Sequence, residues 1–154
     1  MKKRQWIALI AASLLGLCSA HAQEDTFKVG LLLPMTGPFA STGKQMEAGA
    51  RLYLQQNGST VAGKKIELIL KDDTSTPDVT KRLAQEMVVN QKVNVLAGFG
   101  LTPLAFATAP VATQSKTPMV VMAAATSSIT QASPYIVRSS FTVPQVVTDR
   151  KSVV

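Results

Sequence analysis

The chain has 154 residues, room for one ordinary domain, with 46% hydrophobic residues and a formal net charge of +7. That charge suggests a nucleic-acid or anionic-surface binder, but Lys2, Lys3 and Arg4 sit at one end and Arg150 and Lys151 at the other. Over residues 23–148, with Asp149 set aside as well, 11 basic residues face eight acidic ones, with no aromatic-interleaved basic patch, so no nucleic-acid partner is expected.

The first 22 residues read as a secretory signal peptide: a Lys2-Lys3-Arg4 start, an apolar run from Trp6 to Leu17, and Ala20-His21-Ala22 before Gln23. The run is too short for a bilayer span of about 20 residues. Leu17 before Cys18 stands where a lipidation site wants a small residue, so a soluble exported product is expected over a lipoprotein. Cleavage after Ala22 removes the single cysteine and the single histidine. At the other end, residues 149–154 (DRKSVV) resemble the translation of a sequencing adapter and are expected to be non-native. The expected organisation is therefore a leader over 1–22, an α/β lobe over 23–148, and a foreign tail.

Val29, Leu31, Leu32 and Leu33, stopped by Pro34, predict a strand buried on both faces. Met35 to Gly43 reads as a long Gly, Pro, Ser and Thr loop. Met46, Ala50, Tyr53 and Leu54 then predict the buried stripe of a helix ending at Asn57-Gly58. Ile66 to Lys71 predicts a second strand closed by Asp72-Asp73. Thr76-Pro77-Asp78 is a helix start, with a hydroxyl cap and Pro in the first turn, and Val79, Leu83 and Met87 are its buried face. Val93, Val95 and Leu96 predict a third strand leading to Gly98-Phe99-Gly100. Thr102-Pro103 repeats the cap-plus-Pro signal before an Ala-rich helix expected to kink at Pro110. Met119 to Met122 and Tyr135 to Arg138 predict two more strands, with a loop of small and hydroxyl residues from Ala123 to Thr130. The alternation predicts an α/β fold: a parallel, doubly wound sheet with helices on both faces.

Enzyme motifs fail one by one. Gly37 to Gln45 has five residues between its glycines where a P-loop has four, and Gln45 replaces the magnesium-binding Ser or Thr. Gly98-Phe99-Gly100 begins like a dinucleotide fingerprint, but Pro103 replaces the third Gly and the segment follows the third strand. With no His or Cys after residue 22, the common nucleophile–base pairs and most zinc sites are absent. Asp72 and Asp73 read as a strand end and a turn. No catalytic residue, cofactor or metal is expected. What remains is a binding site of hydroxyls, backbone groups and helix N-termini at the carboxyl edge of the sheet. Its candidates are Ser41 and Thr42 after the first strand, Thr102 after the third, and Ala124, Ala125 and Thr126 after the fourth. The competing reading makes Thr42, Thr102 and Thr126 simple helix and turn caps.

The ordered set GLLLPMTGPFASTGKQMEAGARLYL, ELILKDDTSTPDVTKRLAQEMVVNQKVNVLAGFG, TPMVVMAAATSSIT and YIVRSSF resembles the N-terminal lobe of periplasmic solute-binding proteins of the leucine/isoleucine/valine-binding type, across nearly all of residues 27–148. The resemblance implies one lobe of a two-lobe type I clamshell, with a second lobe outside this sequence. It implies a monomeric binding component that delivers an amino acid or related small carboxylate or amide to an ABC permease. Thr102 then falls where the family places a hydroxyl on the ligand carboxylate. Ala124 and Thr126 fall where it offers backbone groups and a hydroxyl to an amino acid. Thr42 replaces a tryptophan of leucine-binding members, so leucine specificity is not implied. The same fold also serves as the ligand-binding module of receptors and amide-responsive regulators, which is the alternative function.

Overall fold

The computed structural model describes residues 26–151, with side chains through residue 148. The leader expected over 1–22 lies outside that range, as does the end of the expected tail. Within it the first strand, β1 (Thr26–Leu33), shows why its sequence is apolar at consecutive positions. Leu32 packs with Leu83, Met87, Leu96 and Phe99 on one face, while Leu31 and Leu33 pack with Ala97 on the other. Side chains alternate along a strand, so burial on both faces demands an uninterrupted run.

After β1 come α1 (Ala40–Asn57), β2 (Thr60–Val61), β3 (Lys64–Asp72), α2 (Pro77–Val89), β4 (Val95–Gly98) and α3 (Thr102–Ser115). They are followed by β5 (Met119–Val121), a 3-10 turn (Ser127–Gln131), β6 (Ile136–Arg138) and α4 (Val143–Lys151). The sheet order is β2-β3-β1-β4-β5-β6. β1 pairs in parallel with β3 and β4, β4 with β5, and β5 with β6. The expected parallel, doubly wound sheet is thus present. It becomes mixed at one edge, where β2 runs antiparallel to β3 across an Ala62-Gly63 turn with both residues at positive φ. Residues of α2 and α3 cover the Leu32 face and α1 covers the Leu31 face with Met46 and Ala50, so helices lie on both faces.

Three local expectations change. Tyr53 is 60% exposed, outside the buried stripe of α1. Helix α1 begins at Ala40, which shortens the predicted loop and draws Ser41, Thr42 and Gly43 into the first turn. Thr76 stands at the start of α2, but its hydroxyl donates to the Thr74 carbonyl at 3.3 Å and caps no helix N–H. Pro110 lies within the Ala-rich helix, α3, as the sequence predicts, and the helix continues to Ser115. Its ring is on the exposed side, where water can serve the carbonyl its missing N–H leaves free.

Candidate functional site

The two crossovers leaving β1 and β4 depart to opposite faces of the sheet. Their carboxyl ends therefore flank a crevice at the point where strand order reverses. Close backbone approaches shape this edge. A Cβ at Gly43 would stand 2.0 Å from the Pro34 carbonyl oxygen, so only Gly lets the first turn of α1 lie against the end of β1. Gly100 lies beside Pro34 and Met46, which brings the loop after β4 onto the loop after β1.

Ser41 and Thr42 are exposed in the first turn of α1, and their hydroxyls make no hydrogen bond among the described residues. Their backbone N–H groups also lack acceptors there, as expected for the opening of a helix. Thr102 is the first helical residue of α3, with Leu101 in the cap position and Pro103 following. Its hydroxyl lies 2.8 Å from that of Thr126, so the loops after β4 and β5 meet through these two side chains. Neither hydroxyl caps a helix N–H, and the simple capping reading fails for both.

The 124–126 segment is tied from behind. The Ala124 N–H donates to the Phe99 carbonyl at 3.1 Å, and the Val143 N–H donates to the Ala125 carbonyl at 3.1 Å. The guanidinium of Arg138 donates to the carbonyls of Ala124 and Thr126, and to that of Phe141 at 3.4 Å. The N–H groups of Ala125 and Thr126 remain without acceptors among the described residues. Arg138 is the participant that sequence reading missed. Its position at the end of a predicted strand was the available signal, but its partners are carbonyls that any residue carries.

Asp72 organises the neighbouring loop. Its carboxylate accepts from the Met35 N–H at 2.9 Å, the Thr36 hydroxyl at 2.6 Å and the Thr74 N–H at 2.9 Å. Burial pushes its carboxyl up, but the Thr36 hydroxyl and the Thr74, Met35 and Thr36 N–H groups outweigh it and hold the pKa below the ordinary value. Asp73 is fully buried. Burial raises its pKa, the nearby Asp72 charge raises it further, and the Ser75 N–H at 2.8 Å opposes both. Its Oδ2 has no partner. These two residues end β3 and shape the turn, as the sequence predicts.

The free groups at the crevice are donors: hydroxyls, N–H groups and the openings of α1 and α3, where the helix dipole is positive. Such a set can hold an anionic oxygen without performing acid–base chemistry. Among the described residues no cluster of three or more His, Cys, Asp or Glu side chains could hold a metal ion. An open hollow of about 760 Å³ lies beside the crevice between the end of β6 and α4, lined by Ser139, Phe141 and Gln145, and includes none of the predicted site residues.

A doubly wound lobe with a donor-lined switch-point crevice defines a class, and sequence comparison places the chain in it. The family model described as periplasmic binding protein matches residues 26–149. The chain belongs to that family, with a type I fold. It is 46% identical over 143 residues to Leu/Ile/Val-binding protein homolog 6 of Brucella abortus, covering 92% of this chain and 36% of the relative. Among solved structures it is 67% identical, with a TM-score of 0.78, to an ABC-transporter solute-binding protein of Rhodopseudomonas palustris BisB5 in complex with 3,4-dihydroxybenzoic acid. That match covers 79% of this chain and 34% of the other. A second such protein, from R. palustris HaA2 in complex with p-hydroxybenzoic acid, is 46% identical with a TM-score of 0.76, covering 83% of this chain and 36% of the other. The chain spans about a third of the length of these relatives.

Proposed function

We propose that this chain is the first lobe of the extracytoplasmic binding component of an ABC importer, and that its crevice takes the carboxylate of a small organic acid. The observation that carries the reading is the Thr102–Thr126 hydroxyl pair, 2.8 Å apart at the opening of α3 and beside the free Ala125 and Thr126 N–H groups. Ser41 and Thr42, in the first turn of α1 after the neighbouring strand β1, would contribute a second helix opening. A negatively charged oxygen placed among these donors gains charge-assisted hydrogen bonds and the favourable end of the helix dipole.

The ligand class follows from chemistry and likeness together. The donor set suits a carboxylate, and the 67% identical relative holds 3,4-dihydroxybenzoic acid. Hydroxybenzoates therefore come before branched-chain amino acids, despite the name of the Brucella relative. The protein works by binding, without catalysis, and a permease receives the ligand. Export follows cleavage between Ala22 and Gln23.

The test is calorimetric titration of the complete two-lobe protein with 3,4-dihydroxybenzoate, 4-hydroxybenzoate and isoleucine. Micromolar or tighter binding of a hydroxybenzoate is expected. Tight binding of isoleucine alone would move the ligand class to amino acids. Binding of none, by protein shown to be folded, would overturn the reading.

A further inference from the structure

We infer that Arg138 is a positioning residue for the ligand-binding loop: its guanidinium braces the Ala124 and Thr126 carbonyls from behind and, together with the Val143 N–H on the Ala125 carbonyl, aims the Ala125 and Thr126 N–H groups and the Thr126 hydroxyl into the crevice. The inference rests on the proposed role of residues 124–126 and adds the device that holds them.

The geometry carries it. Residues 124–126 precede a short 3-10 turn and belong to no strand, so no ladder fixes their peptide planes. Each of their three carbonyls is nonetheless occupied. Arg138 holds those of Ala124 and Thr126, the Val143 N–H holds that of Ala125, and the Ile129 N–H also reaches Thr126. A peptide carbonyl and the N–H of the next residue point in opposite directions. Fixing the carbonyls of residues 124 and 125 toward β6 and α4 therefore turns the N–H groups of residues 125 and 126 the other way. Arg138 is half-buried at the end of β6, in register with Val121 at the end of β5. Its base is thus anchored by the sheet, while two nitrogens of one rigid plane span carbonyls two residues apart. A lysine ammonium carries the same charge but lacks that planar fork. The Phe141 carbonyl at 3.4 Å joins the segment leading into α4 to the same guanidinium.

Arg138→Lys and Arg138→Met in the complete protein separate this role from general support. Two measurements are made on each: amide hydrogen exchange without ligand, and affinity for 3,4-dihydroxybenzoate by calorimetry. In Arg138→Lys, exchange of the hydrogen-bonded amides that tie the segment down, those of Ala124, Ile129 and Val143, should rise by about tenfold or more while β1 and α2 amides keep their protection. Affinity should fall by about tenfold or more. Arg138→Met should show the same pattern more strongly, and free guanidinium at low millimolar concentration should partly restore affinity to an Arg138→Ala variant. Unchanged exchange at Ala124, Ile129 and Val143 overturns the inference, as does an exchange increase spread evenly through the fold. The exchange arm decides this even if the wild type binds no hydroxybenzoate, an outcome that would count against the proposed ligand and not against the brace.

Discussion

The hydroxyl oxygens of Thr102 and Thr126 lie 2.8 Å apart although 24 residues and a complete helix–strand unit separate them. One opens α3 and the other ends the loop after β5, so their meeting joins two crossovers at the carboxyl edge. Two hydroxyls at this spacing share one hydrogen and leave one more to donate outward. A carboxylate oxygen is the partner that makes most of it, since hydrogen bonds to charged groups contribute about 1.5–3 kcal/mol.

Thr102→Val in the complete protein should therefore weaken binding more than folding. Loss of one such bond corresponds to about a 10- to 150-fold rise in Kd, with the melting temperature nearly unchanged. Thr126→Val should behave similarly, and the double variant should cost less than the sum of the two, because they act as a pair. Calorimetry beside thermal melting checks this. Unaltered affinity with a lowered melting temperature would reduce the pair to a structural tie.

Gly43→Ala should destabilise the lobe. The added methyl would meet the Pro34 carbonyl oxygen at 2.0 Å, a backbone contact that no side-chain movement relieves. Overpacking of this kind costs about 1–3 kcal/mol. Relief by lifting the first turn of α1 would also displace Ser41 and Thr42, so affinity should fall as well. A wild-type melting curve would show that this contact is softer than its geometry implies.

Much of this was legible because local pattern and burial agree. Leu31, Leu32 and Leu33 announce a strand covered on both faces, and the Pro-marked starts of α2 and α3 fall within a residue of expectation. The start of α1 was not legible. Gly, Ser and Thr before Gly43 carry loop chemistry, and only the Pro34 carbonyl explains a glycine inside a helix. β2 is two residues long, too short to show a period. The candidate hydroxyls could be named from the sequence, but the Thr102–Thr126 contact depends on how two crossovers return. Arg138 escaped notice because guanidinium-to-carbonyl bonds leave no mark on the partner's side chain.

The two adjacent carboxyls should give opposite pH dependences. Asp72 is held below its ordinary value near 3.8 by its hydrogen bonds, so its stabilising contribution is present above that value and is lost as pH falls through the lower folded pKa. Asp73 is raised, so its contribution is present below the ordinary value near 3.8 and is lost as pH rises through the folded pKa. Asp72→Asn should cost about 1–2 kcal/mol at neutral pH, with the deficit shrinking in acid. Asp73→Asn keeps an acceptor for the Ser75 N–H and removes a buried charge. It should match or exceed wild-type stability at pH 7 and lose that advantage in acid. Urea unfolding of the three proteins from pH 3 to pH 7 tests both signs, and parallel curves would refute the assignment.

The lobe expressed alone, residues 23–148, should bind the ligand far more weakly than the complete protein and should tend to aggregate. The reason lies in one face of the sheet. Leu31, Ala97, Val120 and Val137 stand in register across β1, β4, β5 and β6. Helix α1 covers the β1 end of that row, but at the other end Val137 is 56% exposed. Phe141, Val143 and Val147 add further exposed apolar surface nearby in sequence. An apolar face of this kind favours self-association unless another segment covers it. On the proposed two-lobe reading the second lobe closes the crevice, so in the lobe alone water would compete for the donors around Thr102 and Thr126. Titration of both proteins with 3,4-dihydroxybenzoate, beside light scattering, measures the two effects. Equal affinity from a monomeric, cooperatively unfolding fragment would mean that the site is complete within these residues and that the two-lobe reading is wrong.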